Sequence, residues 1–321
     1  MQINHCLILA AGFGTRMGPI GQKLPKVLWP VYEKSLLELQ VLYARELGVK
    51  NIFINIHYMK YEMIDYIESH SVFKGVTLLI EEPEILDIGG GIHNLARLPE
   101  VNYQGRLLVL NADQFFYMNP ADFTQRIAPF ENDSLILFNY LIDPKDGYNS
   151  LVCNAKREVV ELKKNADIIH LERAETYTGI SIIDLASLDK IDGPSKFFES
   201  VCPFMKKKVK AVLLNDVEYW DFGTVSRFWK TSFYIMETII NNPAHPFIEF
   251  LHRNEAIDLD KVNPRLKSYY AESPEVINLS DNYLLVPLEK SILIHPQVDL
   301  AALPLESHII WKDVVETMPA E

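Results

Sequence analysis

Residues 7–30, LILAAGFGTRMGPIGQKLPKVLWP, decide how the rest of the chain is read. Leu7, Ile8 and Leu9 form an apolar strand that runs straight into Ala10-Ala11-Gly12-Phe13-Gly14-Thr15-Arg16. Residues this small let the backbone come close to a ligand, and their successive amides can form an anion-binding nest. Pro25-Lys26 lies ten residues beyond Arg16, so two cations flank a glycine turn at the end of a buried strand. That grouping suits a chain of phosphates.

Two commoner phosphate-binding patterns do not fit. The P-loop needs Gly, four residues, then Gly-Lys-Ser/Thr, which no stretch supplies. Gly12, Gly14 and Gly18 approximate the dinucleotide fingerprint, but that pattern must open a helix directly. Here Pro19, Gly21, Pro25 and Pro30 interrupt the stretch, and a proline inside a helix costs roughly 3 kcal/mol. The expectation is a long loop, with no helix before about residue 35.

The chain has 321 residues, 48% hydrophobic and 23% charged, a globular composition with enough apolar material for one large or two modest domains. Its formal charge of −12 argues against bulk binding to nucleic acid or to an anionic membrane. Cations that meet phosphate must then be locally concentrated, as Arg16, Lys23, Lys26 and Lys34 are. Cys6, Cys153 and Cys202 are widely spaced without a metal-ligand pattern, which points to a reduced, cytoplasmic protein. No signal-peptide pattern opens the chain, and no apolar run nears the roughly 18 residues of a membrane span.

Over the first 140 residues, apolar runs at 51–56, 76–80, 107–110 and 134–141 alternate with helical patterns at 36–47, 58–70, 92–98 and 120–128. Ser35-Leu36-Leu37-Glu38 is a capping box, and Gly48 stops the helix it opens. This alternation predicts an α/β fold: a Rossmann-like, mostly parallel mixed sheet with helices on both faces and ligands at the carboxyl ends of the strands. Residues 143–224 break the rhythm with hairpin-like pieces at 151–153, 158–162 and 178–183, a helix around 196–205 and a strand at 209–214. A helix is expected over 225–241, and Pro243 and Pro246 then mark a boundary between a catalytic domain (1–241) and a small C-terminal appendage (242–321).

The run Leu9-Ala10-Ala11-Gly12-x-Gly14-Thr15-Arg16-Met17, followed by Leu24-Pro25-Lys26, resembles the signature of the sugar-1-phosphate nucleotidylyltransferases, including the Arg-to-Lys spacing. The resemblance covers about residues 5–224. It implies the nucleotide-diphospho-sugar transferase fold and attack by a sugar-1-phosphate oxygen on the α-phosphorus of a nucleoside triphosphate. Such a phosphate, with a second pKa of about 6, is already mostly dianionic at pH 7, so no Ser-His or Cys-His pair is needed to activate it. What the site must supply is cations that offset repulsion, align the oxygen and stabilise the leaving pyrophosphate. The resemblance assigns this work to Arg16, Lys26 and Mg²⁺, with Ala10, Ala11, Gly12, Gly14 and Thr15 around the nucleotide.

Asp113 closes Leu107-Leu108-Val109-Leu110-Asn111-Ala112-Asp113, where the family usually has Asn-Gly-Asp, and is the first expected metal ligand. Asp221, in Tyr219-Trp220-Asp221-Phe222-Gly223-Thr224, resembles the family's Trp-x-Asp-x-Gly-Thr element and is the second. Residues 81–92, EEPEILDIGGGI, look like the loop that reads the base. Gly89 and Gly90 would let the backbone meet the base edge, and Glu82 would accept from the ring N–H of uracil or guanine. The common Thr before these glycines is Ile88 here. On the sugar side, Thr178 and Gly179 resemble the element set against the hexose. Lys164 matches a lysine that grips the sugar phosphate, although Lys163 and Asn165 replace the usual acid and proline.

The resemblance therefore implies transfer of a nucleoside monophosphate from an NTP, UTP or GTP favoured, to a sugar 1-phosphate. Within the family, the Leu-Asp-x-Gly-Gly-Gly-Ile loop is similar to that of the N-acetylmuramate-1-phosphate uridylyltransferases and mannose-1-phosphate guanylyltransferases. The alternatives are a catalytically silent nucleotide-sugar-binding homologue and a phosphocholine cytidylyltransferase. Residues 306–311 resemble a turn of the left-handed β-helix many of these enzymes carry; a capping or homo-oligomerisation element is the other expectation for the appendage.

Overall fold

The computed structural model describes the chain apart from residues 169, 172, 215–217, 286–287, 305–306 and 319–321. The chain divides into two compact units: Met1–Gly12 with Gln40–Glu218, and Phe13–Leu39 with Tyr219–Glu321.

The first unit is built on a seven-stranded sheet. Its strands, in chain order, are β1 (His5–Leu9), β2 (Asn51–Ile56), β3 (Thr77–Ile80), β4 (Arg106–Asn111), β5 (Leu135–Ile142), β6 (Ala174–Asp184) and β7 (Lys210–Leu214). Their spatial order is β7-β5-β6-β4-β1-β2-β3. Strands β1, β2, β3 and β4 are mutually parallel, as are β5 and β7, while β6 runs antiparallel to both its neighbours. Val, Leu and Ile fill the central strands because both faces are covered; Leu7, Ile8, Leu107, Leu108, Val109, Ile136 and Leu137 are fully buried. Burial also pushes the Cys6 thiol well above its usual range, consistent with a small core hydrophobe.

Helices α1 (Leu36–Glu46), α2 (Lys60–Ser69), α3 (Asp87–Ala96) and α4 (Pro120–Ile127) follow the expected periodicity, with one difference. α3 begins at Asp87 rather than 92, so Gly89, Gly90 and Gly91 lie inside a helix instead of a loop. The expected piece at 178–183 belongs to the long central strand β6, not to a hairpin. Around 196–205 only a single wide turn, Phe197–Val201, forms. The hairpin of Ser150–Cys153 and Val159–Lys163 is present.

In the second unit, α5 (Val225–Asn241) and α6 (Pro246–Arg253) precede a six-stranded sheet. Its strands are β8 (Val262–Asn263), β9 (Ser268–Tyr269), β10 (Val276–Asn278), β11 (Ser291–Ile294), β12 (His308–Trp311) and β13 (Val314–Thr317). From β9 to β12 each strand pairs in parallel with the next, while β8 and β13 close the ends antiparallel. Glu306, in the stretch likened to a β-helix turn, lies outside the described residues.

The segment Phe13–Leu39 is anchored within this unit. Trp29 packs edge-on to Phe228 at 4.8 Å, and the Tyr32 hydroxyl donates to the Ser232 carbonyl at 3.0 Å. Glu33 accepts from the Tyr269 hydroxyl at 2.6 Å and pairs with Lys261 at 2.8 Å. The capping box closes as expected: Ser35 N–H donates to Glu38 at 2.8 Å and Glu38 N–H to Ser35 Oγ at 3.2 Å. Among the described residues, no helix is long and apolar enough to cross a membrane.

Candidate functional site

The expected site residues fall on both units. In the second, Gly14 has φ +62° and begins a tight turn that the Met17 N–H closes onto its carbonyl at 3.0 Å. A Cβ at Gly14 would lie 3.7 Å from Lys26 Cβ and Cγ, so the stem of Lys26 lies along the glycine turn. Thr15 and Arg16 are exposed, and Lys26 is half-buried. Two other cations are committed locally: Lys23 pairs with Asp313 at 3.3 Å and Lys34 with Glu38 at 3.8 Å. The stretch is not helix-free, since Gly18–Gly21 makes one turn with Pro19 in its first positions, where no N–H is missed.

Asp221, half-buried, has both oxygens engaged inside the same unit. It accepts from Gly223 N–H at 2.6 Å and pairs with Arg227 at 2.8 Å. Thr224 caps α5 by accepting from the Arg227 N–H at 3.2 Å. The Trp-x-Asp-x-Gly-Thr resemblance thus maps onto a strand-to-helix turn held by its own polar groups.

In the first unit, sheet register aligns Leu9 with Asn55 on one side and Asn111 on the other. Ala10, Ala112 and Glu81 follow at one carboxyl edge, where Ala112 N–H donates to Leu9 O at 3.2 Å and Glu81 N–H to Ile56 O at 2.9 Å. Ala10 and Ala11 are buried, Gly12 is exposed, and Asp113 is half-buried two residues past the end of β4. Because β6 runs the other way, its early residues reach this same edge. Gly179 (φ +78°) approaches so closely that a Cβ there would lie 2.5 Å from Asn111 Cγ and from Gln114 Oε1.

Glu82 lies just past β3, and Gly89 and Gly90 lie in the first turn of α3. Glu82 is exposed and ion-paired with Lys60. The glycines need their smallness for packing: a Cβ on Gly89 would lie 2.6 Å from the Ser195 carbonyl oxygen, and one on Gly90 2.7 Å from that of Gly193. The Gly90 N–H already donates to Ser195 O at 3.0 Å. The buried acid here is Glu81, which the sequence reading passed over in favour of its neighbour. Its partner Asn55 was missed as well; a polar residue within the apolar run that follows Asn51 was the available signal.

On the sugar side, Thr178 is fully buried and its hydroxyl donates to the Phe138 carbonyl of the sheet at 2.8 Å. Lys164 is exposed, just beyond the hairpin strand Val159–Lys163. Arg157 forks onto Glu175 at 2.8 and 2.7 Å, and Asn139 donates to Glu175 at 3.1 Å. Burial opposes charge on Glu175, but the Arg157 fork and the Asn139 amide hold its carboxyl below the usual range.

Among the described residues, no three His, Cys, Asp or Glu side chains group as a metal cage. The donors on offer are of another kind, single carboxylates such as Asp113 and Asp221. Each carboxylate has about four lone-pair positions, so one that already accepts hydrogen bonds can still meet a cation. Magnesium is commonly held by one or two carboxylates plus substrate phosphates, and that chemistry fits these residues.

The nucleotidyl transferase family model matches residues 5–238. A choline-phosphate cytidylyltransferase of Streptococcus pneumoniae is 42% identical over 62 residues, 19% of this chain and 27% of that protein. A UTP–glucose-1-phosphate uridylyltransferase of Synechocystis is 24% identical over 266 residues, 76% of this chain and 66% of that one. The chain thus spans about a quarter to two thirds of the length of these curated relatives. Among solved structures, HddC from Yersinia pseudotuberculosis superposes with a TM-score of 0.61 at 20% identity, over 73% of this chain and 100% of that one, which is a likeness of fold. With the family model spanning the glycine turn, the whole central sheet and most of α5, the chain belongs to the nucleotidyl transferase family.

Proposed function

We propose that this chain transfers a nucleoside monophosphate from an NTP, UTP or GTP favoured, to a sugar 1-phosphate and releases pyrophosphate. The observation that carries the reading is the glycine turn at Gly14, with Lys26 laid along it and Arg16 exposed two residues on. Arg16 presents a planar fork that meets phosphate oxygens in pairs and stabilises charge as pyrophosphate leaves; Lys26 positions the triphosphate as a point charge. Backbone amides of residues 10–15 cradle the nucleotide, and Glu82 accepts from the ring N–H of uracil or guanine. Gly179 sets the backbone against the sugar, and Lys164 meets its phosphate.

Asp113 and Asp221 would hold Mg²⁺. When bound, the ion neutralises phosphate charge and acts as a Lewis acid. The uridylyltransferase relative supports the sugar-phosphate assignment, which the cytidylyltransferase match leaves open to test.

The experiment is pyrophosphate release from a panel of five nucleoside triphosphates crossed with hexose 1-phosphates and phosphocholine, with and without Mg²⁺. Release with UTP or GTP and a sugar 1-phosphate is expected. The Arg16→Lys variant should lose about tenfold or more in kcat, because an ammonium cannot reproduce the fork. Release only with CTP and phosphocholine would move the substrate, and release with no pair would sink the reading.

A further inference from the structure

At the carboxyl edge of the first unit, four groups far apart in sequence form one unbroken line of hydrogen bonds. Ala10 N–H donates to Asn55 Oδ1 at 2.8 Å, Asn55 Nδ2 donates to Glu81 Oε1 at 2.7 Å, and Leu86 N–H donates to Glu81 Oε2 at 2.8 Å. The two side chains are 3% and 1% exposed. Polarity along the line is fixed at both ends, because backbone N–H groups only donate. Asn55 must therefore turn its oxygen to Ala10 and its nitrogen to Glu81, and both Glu81 oxygens must accept.

The line has no slack. A Cβ on Gly91 would lie 3.0 Å from Glu81 Oε1 and 3.1 Å from Asn55 Nδ2, so α3 presses a bare backbone against the pair. His57 Nδ1 engages the Glu81 carbonyl at 2.8 Å, fixing the backbone beside it. Burying two polar side chains is costly unless every group is paired, and here the pairing joins two segments that the proposed function sets against the nucleotide.

We propose that Asn55 and Glu81 are positioning residues that lock the nucleotide-binding turn at Ala10 to the base-reading segment, residues 81–92, at Leu86. The proposal rests on the function given above. The lock sets the separation of the two segments, and so the fit of the NTP, without touching the sugar phosphate.

The test exploits the fixed polarity. Glu81→Gln leaves two donors facing each other in either amide orientation, and Asn55→Asp sets two carboxylates face to face. Joined in one protein, the two changes restore complementarity: the aspartate accepts from Ala10, the glutamine nitrogen donates to it, and the glutamine oxygen accepts from Leu86. Net charge is unchanged.

Each single variant should raise the KM for the NTP about tenfold or more while the KM for the sugar phosphate stays within about twofold, and the double variant should return to within about threefold of wild type. A single variant that turns over like wild type, a double no better than the worse single, or equal movement of both KM values would overturn the lock. If the singles fail to fold, Gly91→Ala serves instead, since it deletes no hydrogen-bonding group and only crowds the pair; it must raise the NTP KM selectively. Should wild type release no pyrophosphate with any pair, the proposed activity falls, and the same pattern of loss and recovery is then required of UTP and GTP affinity by calorimetry. No measurable affinity for either would overturn the lock too.

Discussion

Gly18→Ala tests how tightly the C-terminal strand β13 is built onto the glycine-rich segment. Gly18 sits at φ +58°, and a side chain in that left-handed conformation costs roughly 1–2 kcal/mol. The added Cβ would lie 2.6 Å from Glu316 Oε2 and 2.8 Å from its Cδ, and closer still to Oε1. Glu316 Oε2 is buried without a hydrogen-bond partner, and burial pushes this carboxyl above its usual range. The crowded atoms are the far end of a flexible side chain, which can yield, so overpacking adds about 1 kcal/mol, giving roughly 2–3 kcal/mol for Gly18→Ala in total. In a Glu316→Ala background only the backbone part should remain, so the two substitutions should couple by about 1 kcal/mol. Urea unfolding followed by tryptophan fluorescence is the assay, because all four tryptophans, Trp29, Trp220, Trp229 and Trp311, belong to this unit. Equal costs in the two backgrounds, within about 0.5 kcal/mol, would refute the steric argument.

Two further outcomes are expected. Thr178→Val should lower stability by about 1–3 kcal/mol by leaving the buried Phe138 carbonyl without its donor, while the KM for a sugar phosphate stays put; a selective rise in that KM would return Thr178 to the ligand. Glu175 is held charged in the fold, so its contribution is present above the ordinary carboxylate pKa and is lost as pH falls through its lowered folded value. Stability of Glu175→Gln should accordingly approach that of wild type as pH drops through the acid range, and a gap that widens instead would contradict the assignment.

Much of the frame was legible because its causes are local. Asn51–Ile56 forms as the apolar run foretold, and α1 begins where Ser35 and Glu38 reciprocate. The harder elements depend on partners distant in sequence. Three consecutive glycines cost a helix about 1 kcal/mol each relative to alanine, so nothing in residues 87–91 alone announces the first turns of α3; the backbone of residues 193–196 pressed against them supplies the reason. Thr178 was expected at the sugar because Thr178-Gly179 resembles the family's element; Gly179 does lie at the edge, while Thr178 is buried with its hydroxyl on the Phe138 carbonyl. Glu81 and Glu82 are adjacent and chemically identical, and only the positions of Asn55, Leu86 and Lys60 distinguish the buried one from the exposed one.

The chain leaves its first unit at Gly12 and returns at Gln40, and Phe13–Leu39 rests on residues from Tyr219 onward. During synthesis, this segment emerges from the ribosome early while the residues that support it emerge late. Gln40–Glu218, roughly 180 residues, is made in between, which at about 5–20 residues per second leaves the segment without its scaffold for about 10–40 s. A ribosome stalled anywhere before residue 219 therefore holds a nascent chain whose Trp29, Tyr32 and Glu33 lack their partners Phe228, Ser232 and Tyr269, even with the whole central sheet already translated. Maturation of the cationic turn is timed by the last third of the message rather than the first.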